Sequence, residues 1–221
     1  MRTLVEVADG VHVATSMLDV TTSTVLVHGD QALLVDPSWT PAELTGLADW
    51  LDHRGLRVTG GFATHAHHDH VLWHPRFGDV PRWASAVTAR RAAESLDTLI
   101  ADLGDWPADL AAIVGELAPT DELPWPDPIE LIVHDAHTPG HTALWLPGRR
   151  VLIAGDMLSD VEPPLPEETG PAEYVAGLHT LRPYVEQAAL VIPGHGHPGT
   201  DAVTRWRRDL ALIEAAISGL R

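Results

Sequence analysis

A buried strand that leads directly into a histidine-rich loop decides the fold of this chain. The sequence reads Val58-Thr59-Gly60-Gly61-Phe62-Ala63-Thr64 and continues as His65-Ala66-His67-His68-Asp69-His70. The first part is mostly apolar or β-branched, as in a strand buried within a sheet. The second part is rich in imidazoles and carries a carboxylate, and such nitrogen and oxygen donors suit divalent metal ions. The stretch therefore predicts a metal site at the end of a strand.

Three further apolar strands lead into residues of the same kinds. They are Ile129–His134, followed by His137 and His141; Val151–Ala154, followed by Asp156; and Ala189–Ile192, followed by His195. Loops that leave one edge of a sheet converge in space, so we expect these side chains to form one cluster. A single His or Asp at a strand end is usually a cap or a satisfied polar group. Four independent coincidences favour a metal site instead.

The rest of the chain alternates strands and helices. A hairpin is predicted at Ser23–Asp36 around Gly29 and Asp30, and a helix at Thr40–Gly55 that Thr40 caps and Pro41 opens. The segment Ser85–Ala118 is alanine-rich and predicted to be helical, with Ser85 as the cap of a first helix and Pro107 as the start of another. Further helices are expected at Pro171–Arg182 and Asp201–Gly219. We therefore predict a layered α/β (α+β) fold and a single domain over residues 1–221.

Composition excludes several classes of chemistry and partner. The chain has no cysteine, which excludes disulfides, thiolate metal sites and thiol nucleophiles. All 14 basic residues are arginines, so a lysine Schiff base is excluded. A formal charge of −17 opposes nucleic acid and anionic membranes as partners and leaves a small-molecule substrate as the expectation. No apolar run approaches a membrane span and no secretory signal is recognised, which predicts a cytoplasmic protein.

The ordered set of metal-binding residue types resembles that of a known family. The motif from His65 to His70, followed by His141, Asp156 and His195, resembles the metallo-β-lactamase superfamily and, within it, the glyoxalase-II-like branch of metal-dependent hydrolases. The resemblance implies a four-layer αβ/βα sandwich with metal ions at one edge. It also implies that one ion is held by His65, His67 and His141, the second by Asp69, His70 and His195, and that Asp156 bridges both.

The resemblance also implies a reaction. Two divalent ions would hold a bridging hydroxide that attacks the carbonyl of a small ester, thioester or lactone, and Asp69 would orient this hydroxide and take up its proton. Nitrogen and carboxylate donors without sulfur favour Zn²⁺ and also fit Fe or Mn.

Two alternatives stay open. Persulfide dioxygenases share this fold and use one iron on two histidines and one aspartate, which here would be His65, His141 and Asp156. A metal-binding module without catalysis is the other. The absence of cysteine and the presence of Asp156 argue against a dedicated β-lactamase, and Ser159 stands where lactonases of this fold carry a tyrosine.

Three polar residues near the motif have supporting roles in this interpretation. Asp36 ends a strand and is expected either to orient a ligand histidine or to act as a cap. His68 lies inside the motif but does not match a ligand position, so it is expected either to support a ligand or to face solvent. His137 is expected to support the loop that carries His141.

Two tryptophans and one loop are candidates for the substrate pocket. Trp39 and Trp73 follow site-bearing segments and are predicted to contact substrate, with plain core packing as the alternative. The Asp160–Pro171 loop is either a lid or a solvated connection. Neither the substrate nor the oligomeric state can be inferred from these residues.

Overall fold

Two β-sheets, each with helices packed on it, organise the part of the chain that this computed structural model describes, residues 3–166 and 168–219. The chain divides into two compact units, Met1–Asp121 and Glu122–Arg221. The prediction of one domain over residues 1–221 stays a prediction, and residues 1, 2, 167, 220 and 221 lie outside the described part.

The described residues of the first unit form a sheet whose seven strands follow one another in chain order. The strands are β1 (Val5–Ala8), β2 (Val11–Thr15), β3 (Thr22–His28), β4 (Gln31–Val35), β5 (Arg57–Phe62), β6 (Arg82–Ala84) and β7 (Ala118–Pro119). Neighbours from β1 to β4 are antiparallel, and neighbours from β4 to β7 are parallel. The predicted hairpin is confirmed, because His28 pairs with Gln31 across a turn in which Gly29 has a φ of 61°.

Helix α1 (Pro41–His53) begins where the sequence predicts. The Thr40 hydroxyl accepts a hydrogen bond from the Glu43 amide at 3.1 Å, and the Glu43 carboxylate accepts one from the Thr40 amide at 3.1 Å. This reciprocal capping box satisfies two amides at the helix start. The buried Glu43 carboxylate also accepts hydrogen bonds from the Ser16 hydroxyl at 2.9 Å and the Met17 amide at 3.2 Å. The helix start is therefore tied to the loop between β2 and β3.

Helix α1 covers the parallel part of the sheet, and its buried leucines, Leu44, Leu47 and Leu51, recur at three- and four-residue spacing. The segment predicted to be helical after Ser85 forms three short helices, α2 (Ala86–Glu94), α3 (Leu96–Asp102) and α4 (Ala108–Ala111). Ser85 caps the first of them and Pro107 precedes the last, as predicted. Ser95 ends α2 and starts α3, and Gly104 follows α3 with a φ of 68°. Alanine content does not locate the break at Ser95, so α3 was not predicted as a separate helix.

Strands β4 and β5 are parallel, so the residues that follow them lie at the same edge of the sheet. Asp36 follows β4, and the histidine-rich motif follows β5. Strand β5 ends at Phe62, before the predicted end at Thr64, because the Thr64 amide donates to the Asp36 side chain instead of to a neighbouring strand.

The described residues of the second unit form a four-stranded sheet, which also places candidate donors at one edge. Its strands are β8 (Glu130–His134), β9 (His141–Leu146), β10 (Val151–Gly155) and β11 (Leu190–Pro193), in the order β11-β10-β9-β8. Strand β9 is antiparallel to β8 and β10, whereas β10 and β11 are parallel. The start of β9 and the ends of β8, β10 and β11 therefore lie at one edge, which brings His141, Asp156 and His195 to the same side.

Two helices complete the second unit, α5 (Pro171–Val185) and α6 (Ala202–Gly219). They pack on each other, and α5 packs on β8. Buried residues on both helices, including Leu178, Leu181 and Ile213, share one core with Leu152 and Val191 of the sheet. Both helices were predicted from the sequence.

Strands β1, β6 and β7 were not predicted from the sequence. Strand β1 is largely exposed at the sheet edge, and β6 and β7 contain three and two residues. Such short segments carry too little alternation of apolar and polar residues to be recognised. Among the described residues, no helix combines the length and apolar character that a membrane span requires.

The capping box yields a test of how α1 is held. Replacing Thr40 with alanine removes the hydroxyl that accepts the Glu43 amide, so we expect a loss of about 1 kcal/mol of unfolding free energy. Urea unfolding followed by circular dichroism measures the change. Thr45→Ala is the matched control, because the exposed Thr45 hydroxyl only donates to the Pro41 carbonyl one turn back. Equal losses in the two variants would contradict the capping role.

Candidate functional site

The Asp36 carboxylate holds the first unit's donor loop in place. One oxygen accepts the Thr64 amide at 2.8 Å, and the other accepts the Thr64 hydroxyl at 2.6 Å and lies 3.0 Å from His70 Nδ1. Asp36 is buried, so each of these donors contributes to offsetting the cost of removing its charge from water. Asp36 therefore performs both expected roles: its carboxylate orients the His70 ring and accepts the Thr64 amide that follows β5.

These contacts decide which nitrogen of each ring carries the proton. An ionised carboxylate only accepts, so His70 Nδ1 donates to Asp36 and the neutral ring keeps its lone pair on Nε2. The Thr64 hydroxyl gives its proton to Asp36 and therefore accepts from His65 Nδ1, 3.0 Å away. The lone pair of His65 is thus also on Nε2. Such a tautomer is the one a metal ligand requires.

The remaining nitrogens of the loop face one another. His65 Nε2 lies 3.0 Å from His67 Nδ1. This separation can be bridged by one proton or by one metal ion bound to both nitrogens. Both rings come from the same extended loop, with the His65 side chain buried and the His67 side chain partly exposed.

Asp69 and His70 form a second pair. His70 Nε2 lies 3.4 Å from the Asp69 carboxylate oxygen that accepts the Thr21 hydroxyl at 3.1 Å. Since His70 already donates through Nδ1, its Nε2 lone pair faces a carboxylate oxygen, and these two acceptors repel unless a cation or proton lies between them. The donor set of the first unit therefore fits a bound cation.

The remaining predicted residues of the first unit are His68, Trp39 and Trp73, whose rings pack against other rings. His68 packs its ring against Trp39, with centroids 5.2 Å apart. Trp73 is buried against Gly61 and Phe77, and it lines one small cavity together with His70. The substrate-binding roles of Trp39 and Trp73 stay predictions.

In the second unit, a tight loop between β8 and β9 positions His141. The Gly140 amide donates to the Asp135 carboxylate at 2.8 Å, and Gly140 has a φ of 80°. His141 is fully buried as the first residue of β9, and its Nε2 accepts the Asp156 amide at 3.2 Å. Its ring stacks on His134, with centroids 4.8 Å apart and planes inclined by 22°.

His134 was not recognised from the sequence. Burial lowers the pKa of its imidazole to about 4, so this ring is neutral near pH 7. Its Nδ1 accepts the Ala136 amide at 3.2 Å, and within the described residues Nε2 has no hydrogen-bond partner. Its place at the end of an apolar strand is also that of an ordinary core residue, which is why the sequence carried no signal for it.

Two histidine side chains of the second unit lie close to the Asp156 carboxylate. One of its oxygens lies 3.3 Å from His195 Nε2 and 3.5 Å from His137 Nε2. His195 Nδ1 lies 4.0 Å from the Glu162 carboxylate. A carboxylate between two imidazole nitrogens is a donor arrangement that suits a divalent ion.

Glycine is required beside this carboxylate. A Cβ added at Gly194 would overlap the Asp156 carboxylate and the Gly155 backbone, and the Gly194 amide donates to the Gly155 carbonyl. The close approach of β10 and β11 at this point therefore depends on the missing side chain.

The described part of the Asp160–Pro171 loop is tied to these residues. The Leu165 carbonyl accepts from His137 Nδ1 at 2.9 Å, and the Thr169 hydroxyl donates to the Ala136 carbonyl at 2.7 Å. The Asp160 carboxylate accepts the His197 amide at 2.7 Å. Glu167 within this loop lies outside the described residues.

Each unit thus gathers its own share of the predicted donors. The first brings together His65, His67, Asp69 and His70, and the second brings together His141, Asp156 and His195. The structure confirms Asp36 as a partner of the first group and adds Thr21 and Thr64. The prediction that all seven side chains bind one pair of ions stays a prediction.

Replacing Asp36 with asparagine tests its positioning role. The amide cannot accept all three donors, so the Thr64 and His70 side chains lose their orientation, and we expect metal affinity to fall about 10- to 100-fold. Titration of metal-free protein with Zn²⁺, followed by calorimetry, measures the affinity. Asp30→Asn, at the exposed hairpin turn, is the control and should leave the affinity unchanged. An unchanged affinity in Asp36→Asn would remove Asp36 from the site.

Replacing Gly194 with alanine tests the contact between β10 and β11. The added methyl displaces the Asp156 carboxylate, so we expect metal affinity to fall and the folded state to lose about 1–3 kcal/mol through overpacking. Gly148→Ala serves as the control, because a Cβ there meets no atom within 4 Å. Zn²⁺ titration and urea unfolding report the two effects. Wild-type affinity in Gly194→Ala would contradict the proposed crowding.

Comparison with known proteins found a curated relative. The curated hydroxyacylglutathione hydrolase of Parasynechococcus marenigrum (strain WH8102) is 26% identical over 138 residues, which cover 60% of this chain and 49% of that protein. The chain therefore spans about half the length of the curated relative that it matches.

Solved structures share the fold at low identity. The metallo-β-lactamase FIM-1 from Pseudomonas aeruginosa, in its mono-zinc form, superposes with a TM-score of 0.73 at 17% identity, over 97% of this chain and 95% of that one. A metallo-β-lactamase from Erythrobacter litoralis superposes with a TM-score of 0.72 at 18% identity, over 96% of each chain.

These likenesses confirm the predicted α/β fold of the metallo-β-lactamase type, and a family model settles membership. The model that describes the metallo-β-lactamase superfamily matches residues 17–197, from the loop after β2 to just beyond His195. This chain belongs to the metallo-β-lactamase superfamily.

Proposed function

We propose that this protein is a metal-dependent hydrolase that uses two divalent ions to cleave a small ester, thioester or lactone. The observation that carries the proposal is the pairing of His70 and Asp69. The Nε2 lone pair of His70 faces a carboxylate oxygen at 3.4 Å, because its other nitrogen donates to Asp36. Such a pair of acceptors is stable only around a cation or a proton.

The proposed ligands are those of the sequence prediction. One ion takes His65, His67 and His141; the other takes Asp69, His70 and His195; and Asp156 serves both. Imidazole and carboxylate donors favour Zn²⁺, and Fe or Mn fits the same set. When bound, such ions supply hydroxide at neutral pH and stabilise the negative charge that develops on an attacked carbonyl.

The protein's own residues supply orientation and proton transfer. Asp69 is buried, and the Thr21 hydroxyl holds one of its oxygens at 3.1 Å. A carboxylate fixed in this way orients a nucleophilic water and accepts its proton. Asp36 and Thr64 hold the His70 and His65 rings in the tautomers that place the lone pair on Nε2.

Two further observations support the substrate class. The curated relative is, by its name, a hydrolase of an acylated glutathione. The formal charge of −17 favours a small substrate over a nucleic acid. The cytoplasmic location also stays a prediction.

The test combines metal analysis with a substrate panel of esters, thioesters and lactones. We expect bound divalent metal, loss of turnover on chelation and recovery on adding Zn²⁺. His65→Ala and Asp69→Asn should each lower kcat at least about 100-fold, because the first removes a ligand and the second a proton acceptor. His28→Ala, at the exposed end of β3, should keep full turnover.

Other outcomes point elsewhere. Full activity in metal-free protein would reject a metal-dependent hydrolase. One iron per chain, with persulfide-dependent oxygen uptake, would identify the mononuclear iron oxidoreductase on His65, His141 and Asp156. Tight metal binding without turnover on any substrate would leave a non-catalytic metal-binding module.

A further inference from the structure

The guanidinium of Arg205 joins two loops of the second unit. Arg205 lies on α6, its side chain is only 6% exposed, and its Nη1 donates to the Leu158 carbonyl at 3.2 Å and to the His197 carbonyl at 3.0 Å. Leu158 follows Asp156 by two residues, and His197 follows His195 by two residues. One nitrogen therefore connects the segment after β10 to the segment after β11.

Two carboxylates offset the cost of burying this charge. Arg205 Nε donates to Asp201 at 2.8 Å, and Nη1 lies 3.8 Å from Asp160. The same Asp160 carboxylate accepts the His197 amide at 2.7 Å and lies 3.0 Å from His197 Nδ1. A buried cation that is paired and hydrogen-bonded in several directions is held in one orientation. Arg205 is thus a rigid cross-link between the two loops.

Helix α6 also holds the backbone of Leu158 and Ser159. Leu158 has a φ of 61°, a left-handed conformation that a residue other than glycine keeps only where the surrounding contacts enforce it. The Arg208 guanidinium donates to the Ser159 carbonyl, and the buried Asp209 carboxylate receives a hydrogen bond from the Leu158 backbone. Together with Arg205, three side chains of one helix fix two successive residues of the loop after β10.

Two glycines in the loop after β11 leave room for this arrangement. A Cβ at Gly196 would overlap the Asp160 carboxylate, and a Cβ at Gly199 would overlap the Arg205 guanidinium. Each glycine therefore permits a close approach that a side chain would prevent. The path of this loop is adapted to the charged groups that α6 and the loop after β10 place against it.

We propose that Arg205 is a positioning residue of the hydrolase, which acts through the backbone carbonyls of Leu158 and His197. The inference rests on the proposed function, because it assigns Arg205 the task of keeping the loops that carry Asp156 and His195 in register. The Asp156 carboxylate and His195 Nε2 lie 3.3 Å apart, and this separation changes if the loops shift. A displacement of about 1 Å at reacting groups can lower a rate about 100-fold.

The test compares Arg205→Lys and Arg205→Met with Arg207→Met in the full-length chain. Lysine keeps the charge but places its donors at a single point, so it cannot serve Asp201 and both carbonyls at once. Methionine removes the charge and keeps a long side chain. Arg207 is the matched control, because it lies on the same helix and is exposed.

We expect both Arg205 variants to bind Zn²⁺ about 10- to 100-fold more weakly and to lower kcat by a similar factor, with a much smaller change in KM. Calorimetry on metal-free protein measures the affinity, and amide hydrogen exchange of the metal-free protein should be faster at residues 157–162 and 196–199. A residue that only stabilises the fold lowers the free energy of unfolding and leaves the Zn²⁺ affinity of the folded protein unchanged. Arg207→Met should match the wild type in every measurement.

Gly199→Ala is a further variant for the case that neither Arg205 variant folds. Its added Cβ displaces the guanidinium while Arg205 itself is kept, so we expect the same loss of Zn²⁺ affinity. Gly148→Ala is its control, because a Cβ there meets no atom within 4 Å.

The outcomes separate this inference from the proposed function. If the folded Arg205 variants keep the wild-type Zn²⁺ affinity and kcat, Arg205 is not a positioning residue, while the hydrolase proposal stands. If only Arg205→Lys keeps them, charge alone suffices and the inferred cross-link is wrong. If wild-type protein binds Zn²⁺ without turnover and the variants bind it more weakly, the hydrolase proposal fails while Arg205 still positions the two loops. If wild-type protein binds no divalent metal, both proposals fail together.

Discussion

The Asp36 carboxylate connects the sheet of the first unit to its chemistry. It stands at the end of β4 and receives the backbone and hydroxyl of Thr64 and the ring of His70, all from the segment that follows β5. Because a carboxylate cannot donate, each of its partners must, and this requirement passes along Thr64 to His65. One buried acceptor thus sets the orientation and the tautomer of two histidines. Parallel pairing of β4 and β5 is what places it within reach.

The second unit reaches a similar result with backbone groups. The Leu165 carbonyl accepts a hydrogen bond from His137, the Asp156 amide donates one to His141, and Gly194 leaves room for the Asp156 carboxylate. The direction of a backbone carbonyl or amide depends on the path of the loop and not on the side chains that the loop carries. The tight turn at Gly140 and the hydrogen bond from Thr169 to Ala136 maintain that path.

Much of this arrangement could be predicted from residue patterns. Apolar strands followed directly by His or Asp indicated, within each unit, which segments end at the edge that carries the candidate donors, and Thr40 with Pro41 located the start of α1. The long alanine-rich segment was harder, because its breaks at Ser95 and Gly104 depend on local backbone geometry and not on composition. Strand β6 was missed because three residues carry no readable period.

The details of the site depend on contacts between residues distant in sequence, which a linear pattern does not record. The pairing of Thr64 with Asp36 and that of His137 with Leu165 each join segments about 28 residues apart. Motif spacing singled out His141, whereas the position of His137 depends on a proline-rich loop without a recognisable sequence signal. Membership of the superfamily indicates the order of the candidate metal donors along the chain, but it does not indicate the tautomer of each histidine ring.

Glu43 links the helix start to the metal-binding loop through one side chain. Its carboxylate caps α1 and also binds Ser16 and Met17, and the same β2–β3 loop leads to Thr21, whose hydroxyl holds Asp69. Fraying of the first helical turn would therefore release the loop as well, so that both segments open as one cooperative unit with a shared hydrogen-exchange rate. Local order near the Asp69 carboxylate is thereby coupled to the first turn of α1.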